Sequence, residues 1–320
     1  MGTRTSDKRA AEIARYALEH DDALACADFG VTEETLARYK RLTKNADSSF
    51  EVTATLKTIQ AQYSDKELKA IAKGGRVLAG LPKVPVVDFS GDCVTFAHFT
   101  DMHSGSIWFK EEYYDAMLRE CDREKVDFGA CTGDITHGMD PKKTELIYEM
   151  THLGYDRQKT YGIELLSRFQ RPLYMIDGNH DRWYYKNGGA LIVKDIAAAV
   201  DGAEYRGMDE GDVSLGGQVT LRLWHGEDGS SYAVSYRLQK IAENFTGGEK
   251  PHILLAGHTH KAGYFYPRMI HMVSGGALSV QSRWMRSKRL GNDSGFWICK
   301  AWIGDHTVAK FQATWYPLYA

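Results

Sequence analysis

The chain has 320 residues, 43% of them hydrophobic and 26% charged, with a formal net charge of −2. That is a globular composition with room for a large and a small domain, and it excludes a chain that binds acidic partners as a bulk polycation. The charge is uneven, since residues 1–84 carry 14 Lys+Arg against 12 Asp+Glu while the remainder carries 26 against 30. The five cysteines (Cys26, Cys93, Cys121, Cys131, Cys299) are odd in number and show no C-x-x-C spacing. They read as buried free thiols of a reducing compartment rather than a zinc knuckle. The N-terminus is polar, and no apolar run approaches the roughly 20 residues of a membrane span. The expectation is a cytoplasmic protein without membrane association.

In chain order, residues 8–20 carry apolar positions at helical period (Ala11, Ile13, Ala14, Tyr16, Ala17, Leu18). Asp21 or Asp22 is placed to cap a short helix through Cys26, and Phe29-Gly30-Val31 breaks it. Thr32 is the N-cap of the next helix, which runs through Leu36, Tyr39 and Leu42 and ends among Arg41 and Lys44. Residues 50–63 and a segment from Ser64-Asp65 to Ile71 predict two more helices, the last stopped by Gly74-Gly75. Leu81-Pro82-Lys83-Val84-Pro85 cannot be crossed by a helix. It divides a helical domain (1–80) from a larger one (91–320), with 81–90 as linker.

Beyond the linker the pattern alternates strand and helix. Strands are predicted at Cys93–Phe99, Val126–Cys131, Leu173–Ile176, Val219–Trp224 and Ile253–Leu255. Helices are predicted at Glu111–Glu124, 142–169 with a break near Gly154, Ala190–Val200, and Tyr232–Phe245 capped by Ser230 or Ser231. Residues 264–280, 296–303 and 307–316 read as β-hairpins, the last turning at Gly304-Asp305.

Each of the five strands runs into a short cluster: Asp101-Met102-His103, Gly133-Asp134, Gly178-Asn179-His180-Asp181, His225-Gly226 and Gly257-His258-Thr259-His260. In open α/β sheets the crevice at the carboxyl ends of the strands is where ligands bind. The clusters offer two Asp, one Asn and four His as donors, about what two adjacent divalent cations need. Such a pair is suited to breaking phosphate esters. Carboxylate, amide and imidazole without a thiolate suit Mn²⁺, Fe or Zn²⁺ better than Mg²⁺ alone. Taken singly, each cluster has a bland reading as a turn or a helix cap. Their order, placement and completeness favour a metal site.

From about residue 90 to 316 the chain resembles the calcineurin-like metallophosphoesterase superfamily. Its pattern D-x-H, G-D, G-N-H-[DE], H, G-H-x-H is present as HFTDMHSG, CTGDITHG, DGNHD, LWHG and AGHTH. The resemblance implies a four-layer α/β/β/α sandwich with a dimetal site at one edge of two sheets, behind a small all-α N-terminal domain. It implies that Asp101, His103, Asp134 and His260 hold one metal and that Asp134, Asn179, His225 and His258 hold the other, Asp134 bridging. A shared water would become a hydroxide that attacks phosphorus in line. The resemblance also gives His180 the task of protonating or stabilising the leaving oxygen, with Asp181 orienting it.

Several features lean toward nucleic acid. His137, three residues after Asp134, is spaced as in the double-strand-break repair nuclease branch, where the corresponding His lies near the scissile phosphate; otherwise it is a surface His. Arg182 with Trp183-Tyr184-Tyr185 is composed to grip phosphate and stack bases, or to pack in the core. Ser230 opens a helix whose N–H groups either receive an anion or are simply capped. Arg283, Arg286, Lys288 and Arg289 surround Trp284 in an otherwise acidic domain. ALACADFGVTEETLARYKRLTK resembles a helix-turn-helix segment, which would turn Thr35, Arg38 and Arg41 toward a major groove; a plain helical bundle is the alternative. The leading expectation is a dimetal phosphodiesterase acting on DNA. The rivals are a phosphomonoesterase or a small-molecule or cyclic-nucleotide phosphodiesterase with a protein-binding N-terminal domain, and, third, a non-enzymatic DNA-binding regulator. A homo-oligomer is compatible with all of them.

Overall fold

A computed structural model describes residues 9–40, apart from 11, 15, 18 and 19, and residues 84–319, apart from 228–232. The helices expected at 50–63 and 64–71, the residues Arg41, Ser230 and Ser231, and linker residues 81–83 lie outside that set. The chain divides into two compact units, Met1–Leu81 and Pro82–Ala320.

In the first unit Asp21 caps the helix Asp22–Phe29, its carboxylate accepting from Leu24 N at 2.9 Å. The helix runs one turn past Cys26 and closes on Gly30, whose φ of 64° is a left-handed C-cap that glycine adopts without a Cβ penalty. Residues 33–40 are helical again after Thr32, whose hydroxyl accepts from Thr35 N. Ile13, Ala17, Ala25 and Leu36 form the buried seam between these segments, with Tyr39 packed against it.

The second unit holds two six-stranded sheets. In chain order the strands are β1 (Val86–Val87), β2 (Cys93–Phe99), β3 (Phe128–Cys131), β4 (Leu173–Ile176), β5 (Ala203–Gly207), β6 (Glu210–Leu215), β7 (Val219–Trp224), β8 (Ile253–Ala256), β9 (Ala262–Phe265), β10 (His271–Gly275), β11 (Gly295–Gly304) and β12 (Thr307–Pro317). One sheet has the order β12-β11-β2-β3-β4-β5, the other β1-β6-β7-β8-β10-β9. β2, β3 and β4 run parallel in the first, and β7 and β8 parallel in the second.

β3, β4 and β8 are buried along their whole length, as parallel strands covered on both faces must be. Phe96, Phe128 and Ile176 of one sheet pack against Leu221, Ile253 and Val273 of the other. The opposite face of the first sheet packs Phe99, Cys131 and Met175 on a helical layer through Tyr114, Leu165 and Ile196. Leu254 and Met272, on the outer face of the second, pack on Leu238 and Ala242 of the helix Val234–Asn244. The result is the expected α/β/β/α sandwich.

The element reading needs three corrections, and the cysteine reading one. Residues 142–169 are not one helix but a 3-10 turn, Thr144–Glu149, and a helix, Tyr155–Leu166, separated at Gly154 with φ of 88°. β5 and β6 fall where no strand was expected. Two short helices, Arg182–Gly188 and Arg283–Ser287, occupy stretches to which no element was assigned. All five cysteines are free; Cys121, Cys131 and Cys299 are buried, while Cys26 and Cys93 are only half-buried. Among the described residues no helix is long and apolar enough to cross a membrane.

Candidate metal centre and the cleft above it

The carboxyl ends of β2, β3 and β4 in one sheet and of β7 and β8 in the other bring the five clusters together. Three sets of donors lie within 4.8 Å of one another: Asp101, His103 and His260; Asp134, His225 and His258; and His103, His137 and His180. The chain bends sharply to achieve this. Asp101, His103, Asp134, His258 and His260 all have positive φ, between 49° and 74°. Such backbone is uncommon for residues with a Cβ and marks places where surrounding structure imposes the conformation. Backbone hydrogen bonds impose it here: Asp101 N donates to Gly133 O at 3.1 Å and His103 N to Asp134 O at 2.9 Å. The glycines of the clusters make this crossing fit. A Cβ on Gly133 would come within 2.5 Å of Gly178 N, and one on Gly178 would overlap Asp134 Oδ1.

Asp101, Asp134, His225 and His260 each have one polar atom fixed and one turned to the centre. Asp101 Oδ2 accepts from Thr100 Oγ1 and His258 N, at 2.7 and 2.9 Å, while buried Oδ1 has no hydrogen-bond partner. Asp134 Oδ1 accepts from His180 N at 2.8 Å. Its Oδ2 lies 3.4 Å from His225 Nε2 and 3.9 Å from His103 Nε2, so one oxygen borders both donor sets. His225 Nδ1 donates to Thr132 O at 2.7 Å, and His260 Nδ1 to Asn292 Oδ1 at 2.7 Å. In the neutral form of both rings this leaves Nε2 as the bare lone pair, the usual way a protein orients a metal-binding imidazole.

The facing donor atoms are spaced as ligands of a common cation would be. His103 Nε2 is 3.1 Å from His260 Nε2, which is 3.2 Å from Asp101 Oδ1. Asn179 Oδ1 is 3.0 Å from His225 Nε2 and 2.8 Å from His258 Nδ1. Bonds of about 2.1 Å at tetrahedral to octahedral angles give ligand–ligand edges of about 3.0–3.4 Å. Donor type, orphaned Asp101 Oδ1 and spacing thus all fit two divalent cations.

The electrostatics point the same way. Burial alone would lift the Asp134 carboxyl, but the His225 and His180 charges outweigh it and hold it well below the usual carboxylate range. Asp101 is likewise held down, His260 overcoming burial. Burial alone would lower His225, yet the Asp134 carboxylate pushes it up to about 9. Burial, with His225 alongside, pushes His258 down to about 4, and burial with the His180 charge keeps His103 well below its ordinary value. The two carboxylates select for positive charge: they raise His225 and His260, while burial keeps His103 and His258 neutral.

His180 is half-buried and lies against Trp183, ring centroids 4.0 Å apart. Its Nδ1 donates to the carbonyl of His137 at 2.8 Å. The expected pairing with Asp181 is not made. Asp181 is fully buried and accepts instead from Ile135 N, Thr136 N, Thr136 Oγ1 and Gly178 N, tying the Asp134 loop to the Asn179 loop. His137 is buried, not a surface residue, and neither ring nitrogen has a hydrogen-bond partner. Burial and the His180 charge push it down to about 3.

The remaining expected substrate residues divide. Arg283 lines the cleft that opens over the donors. Arg182 does not: it is buried, and its guanidinium is taken by Met208 O, Asp209 and Glu227. Nor does Tyr184, which packs in the core edge-on to Tyr155. Both turn inward because residues 182–188 form a helix. In the first unit Arg38 is exposed with its guanidinium over the Tyr39 ring, and Thr35 bonds back to Thr32.

Sequence reasoning missed two residues that organise the donors. Asn292 holds His260 and is itself fixed by donating to Ser279 O and Ser294 Oγ. Arg237 is buried over the Trp224 ring and donates to the carbonyls of Gly257 and His225, at 3.2 and 3.1 Å. Arg237 had a legible signal, a cation on the apolar stripe with Leu238, Ile241 and Ala242. Asn292 had none, since it reaches His260 only through the tertiary fold.

A family model described as calcineurin-like phosphoesterase matches residues 94–262, a span that holds all seven candidate ligands. Among solved structures the chain is similar to an archaeal phosphodiesterase (12% identity, 70% of this chain and 100% of that one, TM-score 0.41). It is also similar to the phosphoesterase Yfce of E. coli (17% identity, 68% and 98%, TM-score 0.41). A third is a zinc complex of Vps29 from Entamoeba histolytica (12% identity, 70% and 99%, TM-score 0.36). No curated protein sequence matches the chain.

Proposed function

We propose that this chain, which belongs to the calcineurin-like phosphoesterase family, turns its metal-dependent ester hydrolysis on the phosphodiester bonds of DNA. The observation that carries the reading is Asp134 Oδ2, one carboxylate oxygen bordering both donor sets at the floor of a cleft. Asp101, His103, Asp134 and His260 would hold one cation, and Asp134, Asn179, His225 and His258 the other. The thiolate-free mixture of carboxylate, amide and imidazole favours Mn²⁺, with Fe or Zn²⁺ as alternatives. When bound, the pair would supply Lewis acidity toward phosphoryl oxygens and lower the pKa of a water.

The chain's own residues do the rest. Asp134 fixes the separation of the two sets, and Asn292 and the Thr132 carbonyl aim His260 and His225. His180, with Nδ1 committed to the His137 carbonyl, has Nε2 left to carry a proton to the leaving oxygen. Burial lowers its pKa, so Nε2 would take the proton released by the attacking water before passing it to the leaving oxygen. His137 lies beside it, ring centroids 5.3 Å apart, where an uncommitted imidazole can meet a phosphate oxygen.

Support for DNA comes from the cations Lys143, Lys261 and Arg283 along the cleft. It comes also from the two helical segments about Gly30, which leave Arg38 exposed. Thr35, Arg38 and Arg41 would then contact DNA, with binding that weakens steeply as salt rises. The test is a panel of bis-p-nitrophenyl phosphate, p-nitrophenyl phosphate, cyclic nucleotides and linear DNA, each with Mn²⁺. Cleavage of the diester and the DNA is expected, and His180→Ala should abolish it. Hydrolysis of the monoester alone would overturn the diesterase reading.

A further inference from the structure

The walls of the cleft carry a second kind of information. A cavity of about 800 Å³ opens over the donor cluster. One wall is Lys143 and the turn Thr144–Glu149, the other the helix Arg283–Ser287. The walls approach each other, since Lys143 Nζ lies 6.0 Å from the centroid of the Trp284 ring. Trp284 and Tyr148, one on each wall, are 54% and 83% exposed. Deeper in, Trp108 is pinned by its indole N–H to Glu149 Oε2 at 2.8 Å, and Trp183 leans on His180.

Four aromatic side chains thus line a cavity whose floor is built for a phosphate. A phosphate with only alkyl substituents makes no use of ring faces. A lipid chain would meet Glu145, Glu149 and Lys261, which line the same space. A nucleobase meets both conditions, with a flat π-face for the rings and polar edges for the charged side chains. The volume falls in the range of small-ligand pockets, roughly 300–1,000 Å³. It suits one or two nucleotides out of any duplex.

We propose, on the footing of the phosphodiesterase reading, that the cleft takes an unpaired nucleotide, its base stacked on Trp284 and its phosphate over the donor cluster. Tyr148 closes the other side, and Lys143 and Arg283 take the neighbouring phosphate. The ligand chemistry is a phosphodiester bearing a nucleobase, supplied either by a strand or by a free dinucleotide.

The test compares thymidine 5′-(p-nitrophenyl phosphate) with methyl p-nitrophenyl phosphate, which share a leaving group and differ in the base. Metal-loaded wild type should show a KM about 5- to 150-fold lower for the nucleoside ester, the factor expected of one stacked base. Trp284→Ala should bring that ratio toward one, and Trp284→Phe should keep much of it. Independently of turnover, thymidine 5′-monophosphate should quench indole fluorescence in metal-free wild type and do so less in Trp284→Ala. A dinucleotide and a single-stranded oligonucleotide should each compete for this site, and the tighter one identifies the source, whereas a blunt duplex should not. Equal KM for the two esters in wild type overturns base stacking and leaves the diesterase reading standing. Failure of wild type to cleave either ester, with metal bound, overturns the diesterase reading itself.

Discussion

Replacing Asp134 by Asn removes one negative charge from the point where both donor sets meet, and it should weaken both. The amide keeps the shape and an oxygen, so the fold is retained. Even a residue that only orients a ligand typically contributes about 10- to 100-fold to metal affinity. A ligand bordering two cations should therefore cost at least ~100-fold at each, about 2.7 kcal/mol per site. At a Mn²⁺ concentration ~1,000 times the wild-type dissociation constant, one site stabilises the fold by about 4.1 kcal/mol. A site weakened ~100-fold retains only about 1.4 kcal/mol under the same conditions. At roughly 2–4 °C per kcal/mol for a domain of this size, the Mn²⁺-induced rise in Tm per site should shrink from ~8–16 °C to ~3–6 °C. Calorimetric melts with and without Mn²⁺, paired with metal analysis of the dialysed protein, read this directly. A variant that still binds two equivalents and keeps the full rise in Tm would refute the placement of Asp134 between the sites.

Three further expectations concern the surroundings. Burial, and then the charge of Asp181, push Asp177 up to about 7, so its neutral form is the one the fold favours. Relative to an unfolded pKa near 3.9, the penalty is absent below about pH 4, grows as pH rises and reaches roughly 4 kcal/mol above pH 7. Asp177→Asn should flatten that loss in denaturant melts at pH 5 and 8 in chelator, and an unchanged pH difference would count against it. Gly178→Ala, whose methyl would overlap Asp134 Oδ1, should lower metal affinity at least ~10-fold with a stability loss of about 1–3 kcal/mol; titration calorimetry showing wild-type affinity would contradict this. Asn292→Ala frees the His260 ring and should cost about 10- to 100-fold in Mn²⁺ affinity, while Asn292→Asp, which keeps the acceptor, should restore most of it in the same titration.

The candidate metal centre was legible because its possible donors sit at fixed places in a simple scheme. Each follows directly on a strand whose apolar run is plain, as in Leu173–Ile176 before Gly178 or Ile253–Ala256 before Gly257. β5 was not legible, because Ala203–Gly207 lies at a sheet edge with no residue fully buried. β6 hides its inward Val213 and Leu215 among Gly211, Asp212 and Ser214, residues of low strand propensity except where packing supports them. Asp181 misled because a carboxylate beside a histidine in sequence suggests a pair. In space its two oxygens face four donors from the Asp134 loop and its own. Arg182 and Tyr184 misled because no element was assigned to a stretch where a turn of helix directs them to the interior. Of the rings along the cleft only Trp183 and Trp284 stood out in the sequence, since Trp108 and Tyr148 join them through tertiary contacts alone.

The left-handed backbone at Asp101, His103, Asp134, His258 and His260 restricts what can replace these residues. Asn, Asp and Gly accept that curvature at little cost, whereas Val, Ile or Thr would bear the full steric penalty. Descendants that lose the chemistry should therefore do so through Asn, Asp or Gly, leaving the outline of the pocket intact. A relative with an unaltered silhouette can then be catalytically silent, and resemblance in shape would be a poor guide to which members still hydrolyse anything.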